Sequence, residues 1–158
     1  MKKCNKKIMK RIAALSGAVL IGAVSLSPNV MAGDIEDKPW SYSFATSGSG
    51  YAVKKGRKKL DTTSVYMRCD SVESLISSGS MSGVSFKATA HGAASQDGKY
   101  SNIIYNAKAS PTYTMTKGKE QYMINYIKEA GKKYANIYCQ LGTGGYVKFM
   151  GDWSPDSV

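Results

Sequence analysis

The chain has 158 residues, with 22 Lys and Arg against 11 Asp and Glu, a formal charge of +11. Six of the cations (Lys2, Lys3, Lys6, Lys7, Lys10 and Arg11) precede residue 12, so the remainder carries 16 against 11, a net of only +5. That excess is too small to argue for a nucleic-acid binder, and the length allows one domain rather than two.

The chain opens as an export signal. The basic segment is followed by an uncharged apolar run, Ile12 to Leu26, of 15 residues. Ser27, Pro28 and Asn29 break it. Val30-Met31-Ala32 then presents small residues three before and one before a cut between Ala32 and Gly33. A membrane-spanning helix needs about 20 apolar residues, so the run is too short for a good span. Cys4 precedes the run and is no lipid-attachment site. The expected layout is a signal peptide at 1–32 and one secreted domain at 33–158, with no transmembrane span left after cleavage.

The exported part is rich in Tyr, Ser, Thr and Gly, a composition that suits strands joined by turns. After an acidic leader (Asp34, Glu36, Asp37), Trp40, Tyr42 and Phe44 alternate with serines, the pattern of a half-buried strand. Residues 54–59 form a basic run. From Thr62 to Cys69 the alternation puts Thr63, Val65, Met67 and Cys69 on one face. Val84, Phe86, Ala88 and Ala90 face inward in another strand, with His91 outward. Thr112 to Thr116 alternates again. Tyr122, Met123, Tyr126, Ile127 and Ala130 lie on one helical stripe, which predicts a short helix over Lys119–Ala130 stopped by Gly131. Tyr134 to Leu141 and Tyr146 to Phe149 return to period two. About seven short strands separated by turns point to an all-β antiparallel sandwich with that one helix; an up-and-down barrel is the second choice.

Two cysteines, Cys69 and Cys139, remain after cleavage, each in an alternating strand with apolar neighbours. An even count in an exported chain favours a disulfide between them, stapling the sandwich.

The chain ends Gly151-Asp152-Trp153-Ser154-Pro155-Asp156-Ser157-Val158. With Ser64-Val65-Tyr66-Met67-Arg68-Cys69 and Asn125-Tyr126-Ile127-Lys128-Glu129-Ala130-Gly131, this ending resembles a family of short secreted proteins from Gram-positive bacteria, known as a domain of unknown function. The resemblance implies export and compactness and brings no catalytic residues. A looser likeness, in architecture alone, runs to lactococcin-type bacteriocins. In the ending, Trp153 is expected to cover one end of the sandwich, Pro155 to stop the last strand, and Ser154 and Asp156 to bond nearby backbone.

No catalytic, metal or cofactor constellation stands out. His91 is the single histidine, and triad chemistry needs a positioned base beside a nucleophile. No His, Cys and carboxylate set has zinc spacing. Asp97-Gly98 lacks the rest of a calcium loop. Gly142-Thr143-Gly144-Gly145 lacks the Lys-Ser/Thr of a phosphate loop. The informative feature is the basic run: Lys54, Lys55, Arg57, Lys58 and Lys59 surround Gly56. Such density predicts a solvated loop whose positive field attracts an anionic cell-envelope polymer or lipid, or another protein. The sequence thus reads as a secreted, non-catalytic binding protein without cofactor or nucleic-acid partner. The alternatives are a bacteriocin-like toxin and an enzyme acting on wall polymer.

Overall fold

The structure, a computed structural model, describes residues 33–45, 50–52, 55–76, 81–143 and 145–157. Among these residues the chain forms strands and no helix. The strands are β1 (Lys38–Phe44), β2 (Gly50–Ala52), β3 (Arg57–Lys58), β4 (Val65–Ser74), β5 (Ser85–Ala93), β6 (Ser101–Asn102), β7 (Ile104–Tyr105), β8 (Lys108–Ala109), β9 (Thr112–Met115), β10 (Glu120–Met123), β11 (Tyr134–Thr143) and β12 (Val147–Ser154). One sheet runs β1-β12-β4-β10. The other runs β2-β11-β5-β6, with β3 also on β11 and β9 also on β5; β7 and β8 form a separate hairpin. All pairings are antiparallel.

Alternation decides which side chains meet between the sheets. In β1, Trp40, Tyr42 and Phe44 are buried while Ser41 and Ser43 are exposed, as a strand with a period of two requires. These rings meet the other sheet at Phe86, with Trp40 edge-on at 5.5 Å between centroids and Phe149 at 4.6 Å. On the same face of β5 as Phe86, Ala88 and Ala90 are fully buried. Small residues opposite large rings let the two faces close at interior packing density.

The last strand completes the first sheet from its middle. β12 lies between β1 and β4, and its register with β1 runs from Lys38 opposite Trp153 to Phe44 opposite Val147. Opposite β4 the register slips: Met150 faces Ser71, but Gly151 faces Cys69. The extra residue on β4 makes a bulge. The Trp40 indole nitrogen donates into it, to Arg68 O at 3.1 Å and Asp152 O at 3.2 Å. Gly151 is demanded here, because a Cβ would sit 1.9 Å from the Arg68 carbonyl oxygen, a backbone atom.

Two expectations fail. The first is the staple. Cys69 and Cys139 are both buried, as alternation requires, but both are free thiols. Facing inward is necessary for a bridge and not sufficient, since a disulfide also demands a specific sulfur–sulfur distance and dihedral geometry. Cys69 Sγ instead contacts Ser71 O in its own strand at 3.8 Å. Burial pushes the Cys69 thiol up to about 11 and the fully buried Cys139 thiol further in the same direction. Both serve as small apolar core residues.

The second failure is the helix over Lys119–Ala130. Glu120 to Met123 form β10 against β4, with Tyr122 opposite Tyr66. Only a turn follows, closed by Ala130 N to Tyr126 O at 3.0 Å and Lys132 N to Ile127 O at 2.9 Å. Gly131, at φ 69°, does end that turn. The five-residue stripe fitted a helix because Met123 and Ile127 are buried, but Tyr122 is 49% exposed on the other side of a strand. Short apolar runs satisfy either period, and the free edge of β4 selected the strand.

Candidate functional site

The basic run divides. Lys54 lies outside the described residues. Lys55 and Lys58 are exposed. Arg57 and Lys59 turn inward, contrary to a fully solvated loop. Strand geometry is the cause. β3 pairs Arg57 with Ala135 and Lys58 with Tyr134, and the pairing continues where Lys59 N donates to Lys133 O at 2.9 Å. Successive side chains therefore alternate in direction, so a run of cations held as a strand must send some of them inward.

Lys59 is 1% exposed. Its ammonium donates to Asp156 Oδ1 at 2.6 Å and Thr63 O at 2.7 Å, with Asp61 Oδ1 at 3.5 Å. Asp156 is fully buried, and its Oδ2 accepts from Asp34 N at 2.8 Å and Leu60 N at 3.0 Å. A wholly buried ion pair of this kind is sustained only when its remaining donors and acceptors are satisfied. At Asp61, partial burial works against the charged form. Hydrogen bonds from Thr63 Oγ1 and N, with the Lys59 ammonium nearby, outweigh it and hold the carboxyl below its usual range. Arg57 is bound in parallel. It pairs with Asp34, donates to Trp153 O at 2.9 Å, and lies 5.3 Å over the Trp153 ring.

The basic run and the chain's ending are therefore two halves of one structure. β12 stops at Ser154, just before Pro155, and Trp153 is buried. Asp156 does bond backbone, but the partners Asp34 and Leu60 are remote in sequence. The apposition of the two segments was invisible in the sequence. A lysine in a basic run carries no mark of burial, and Asp156 in a Pro-Asp-Ser ending reads as a turn residue.

Beside this junction, along the edge strand β1, a cleft of about 500 Å³ opens. Trp40, Tyr42 and Trp153 form its wall, and Lys38, Lys55 and Arg57 its basic side. Lys38 was not singled out from the sequence, and Trp40, Tyr42 and Trp153 were read there as packing residues rather than as binding residues. Glu36 pairs with Lys38 and Asp34 with Arg57, so part of the charge is neutralised within the chain. Lys55 and Lys58 carry the positive field that reaches solvent. Lys58 does not line the cleft, although it is adjacent to Arg57 in β3.

His91 is half-buried and stacked on Tyr138, with ring centroids 5.0 Å apart and planes 5° apart. Burial holds it below its ordinary value. Burial, with the Cys139 sulfur nearby, raises the Tyr42 phenol. Among the described residues, no three or more His, Cys, Asp or Glu side chains are grouped to hold a metal ion. Nor is any helix of those residues long and apolar enough to cross a membrane.

The fold and the junction define an antiparallel β-sandwich whose C-terminal strand is inserted centrally and locked by a buried ion pair. The chain belongs to the family described as "Protein of unknown function (DUF2712)", whose model matches residues 28–157. No match was found among curated proteins or among solved structures.

Proposed function

We propose that this protein is exported and works outside the membrane as a non-catalytic binding protein, holding an anionic cell-envelope polymer at the cleft along β1. The observation that carries this reading is the placement of Lys55 and Lys38 at the rim of an aromatic-walled cleft. Polyol-phosphate polymers offer phosphates to ammonium groups, and the nearly buried Trp40, Tyr42 and Trp153 give the cleft an apolar floor rather than open stacking faces. Apolar walls also strengthen charge interactions by excluding water. Arg57 and Lys59 support the site from within: their partners are internal, and their removal should destabilise the sandwich.

The test is co-sedimentation with purified Gram-positive walls, with and without their teichoic acid, at low and high salt. A variant with Lys38, Lys55 and Lys58 changed to Gln is compared with one in which the exposed Lys99, Lys108 and Lys117 are changed to Gln, matched in net charge. The reading expects binding to intact walls that weakens with salt and falls at least tenfold in the first variant alone. Equal retention of wild type and both variants would overturn it. Turnover of wall polymer, or growth inhibition of related cells, would move the assignment to an enzyme or a toxin.

A further inference from the structure

Gly33, the residue after the expected export cut, is half-buried and abuts the charge cluster around Asp156. Asp34 N donates to Asp156 Oδ2 at 2.8 Å, and Asp156 N donates to Asp34 O at 3.4 Å. This pairing presses Gly33 onto two carboxylate side chains. A Cβ at Gly33 would meet Asp156 Cβ at 2.7 Å and Asp61 Oδ2 at 2.8 Å, so a larger residue forces the cluster apart. The Gly33 nitrogen is bonded to the same Cα. Covalent geometry therefore places it within about 5.5 Å of Asp61 Oδ2, inside the distance over which opposite charges shift each other's titration.

The charges around this nitrogen do not balance. Lys59 stands between Asp156 at 2.6 Å and Asp61 at 3.5 Å, one cation for two carboxylates. Arg57 is engaged by Asp34, and Lys38 by Glu36. Asp37 lines the small cavity beside Asp156 and adds to the negative potential. In the uncut chain the Gly33 nitrogen is a neutral amide. After a cut between Ala32 and Gly33 it is an ammonium.

We propose that the α-ammonium created by cleavage before Gly33 is an internal ligand of this fold, completing a four-charge cluster with Lys59, Asp61 and Asp156. The precursor lacks that charge, so the sandwich reaches full stability only after processing. The cut rests on the export reading above; the receptor for the amine rests on the geometry alone.

Chains beginning at Gly33 contain every core residue among the described residues. Three such preparations are compared by thermal unfolding: residues 33–158 with a free amine, the same chain N-acetylated, and a chain retaining Ala32. At pH 6.5 the free-amine form should melt at least ~3 °C above the other two, the size of shift a single ion pair produces in a domain of this length. An α-amine titrates at about 7.7–8.0 in an unfolded chain, and facing carboxylates raise that value in the folded state. The advantage is therefore complete below about pH 7.7 and disappears as pH rises through the raised folded value, so the three forms should converge by about pH 10.5. Asp61→Asn should erase most of the difference at pH 6.5. If that variant does not fold, NMR titration of the Gly33 amine in the wild-type chain decides. Equal melting at pH 6.5, or an amine titrating at its ordinary value in the folded protein, overturns the receptor and leaves the cut untouched. N-terminal sequencing of exported protein that finds another start overturns the cut, and with it the locking on processing, even if the recombinant amine binds.

Discussion

Lys59→Met tests the central claim that the basic run is partly a structural element. Methionine keeps most of the aliphatic stem and removes the ammonium. The change leaves the Asp156 carboxylate, which is 0% exposed, with backbone donors Asp34 N and Leu60 N but without the ammonium bonded to its Oδ1. It also removes one of the two side-chain donors to Thr63 O, leaving Asn125 Nδ2 at 3.1 Å. Breaking one side of a buried pair typically costs about 3–5 kcal/mol, which for a domain of this size lowers the melting temperature by roughly 10–20 °C. Adding Asp156→Leu removes the orphaned charge but leaves the Asp34 and Leu60 amides without their acceptor, at about 1–3 kcal/mol each, so little of the loss should return. Lys55→Gln and Lys58→Gln, a few residues away and exposed, should stay within about 0.5 kcal/mol of wild type. Urea unfolding of the four variants gives the comparison. If Lys59→Met is as mild as Lys55→Gln, the side chain is solvated and the buried junction is refuted.

The cysteines should behave as buried thiols: no alkylation of the folded protein at neutral pH, and two alkylated cysteines per chain 33–158 in urea. An intact mass showing no alkylation in urea would contradict this. Gly151→Ala should cost about 3 kcal/mol or more, because the new Cβ meets the Arg68 carbonyl within the β4 bulge; a variant unfolding at the wild-type urea concentration would show that the bulge relaxes freely. Burial lowers the His91 value below 6.5, so the folded state favours the neutral ring and the unfolded chain binds the proton first. Stability should then fall as pH drops from about 6.5 toward the lower folded value. His91→Gln should flatten that slope, and an unchanged slope in the variant would remove His91 as its cause.

The strands were legible wherever large apolar residues alternate with small polar ones. Trp40-Tyr42-Phe44, Val65-Met67-Cys69, Phe86-Ala88-Ala90 and Ile137-Cys139-Leu141 all face the core as period two requires. Strand propensity and alternation are local properties, so a single sequence carries them. Family membership was also legible, from the Trp153-Ser154-Pro155-Asp156-Ser157 ending. Pairing partners were not. Nothing local says that β12 enters between β1 and β4, that the edge of β4 captures Glu120–Met123 as a strand, or that Cys69 and Cys139 remain unbonded. The basic run shows the limit most sharply. Alternation is read from the contrast between polar and apolar residues, and a stretch of cations has no such contrast. Which of Lys55, Arg57, Lys58 and Lys59 are solvated was decided only when the C-terminal segment brought the Asp156 carboxylate, 97 residues away, to Lys59. A buried charge is tolerated only where its counter-charge is fixed in place, and the tertiary fold alone supplies that partner.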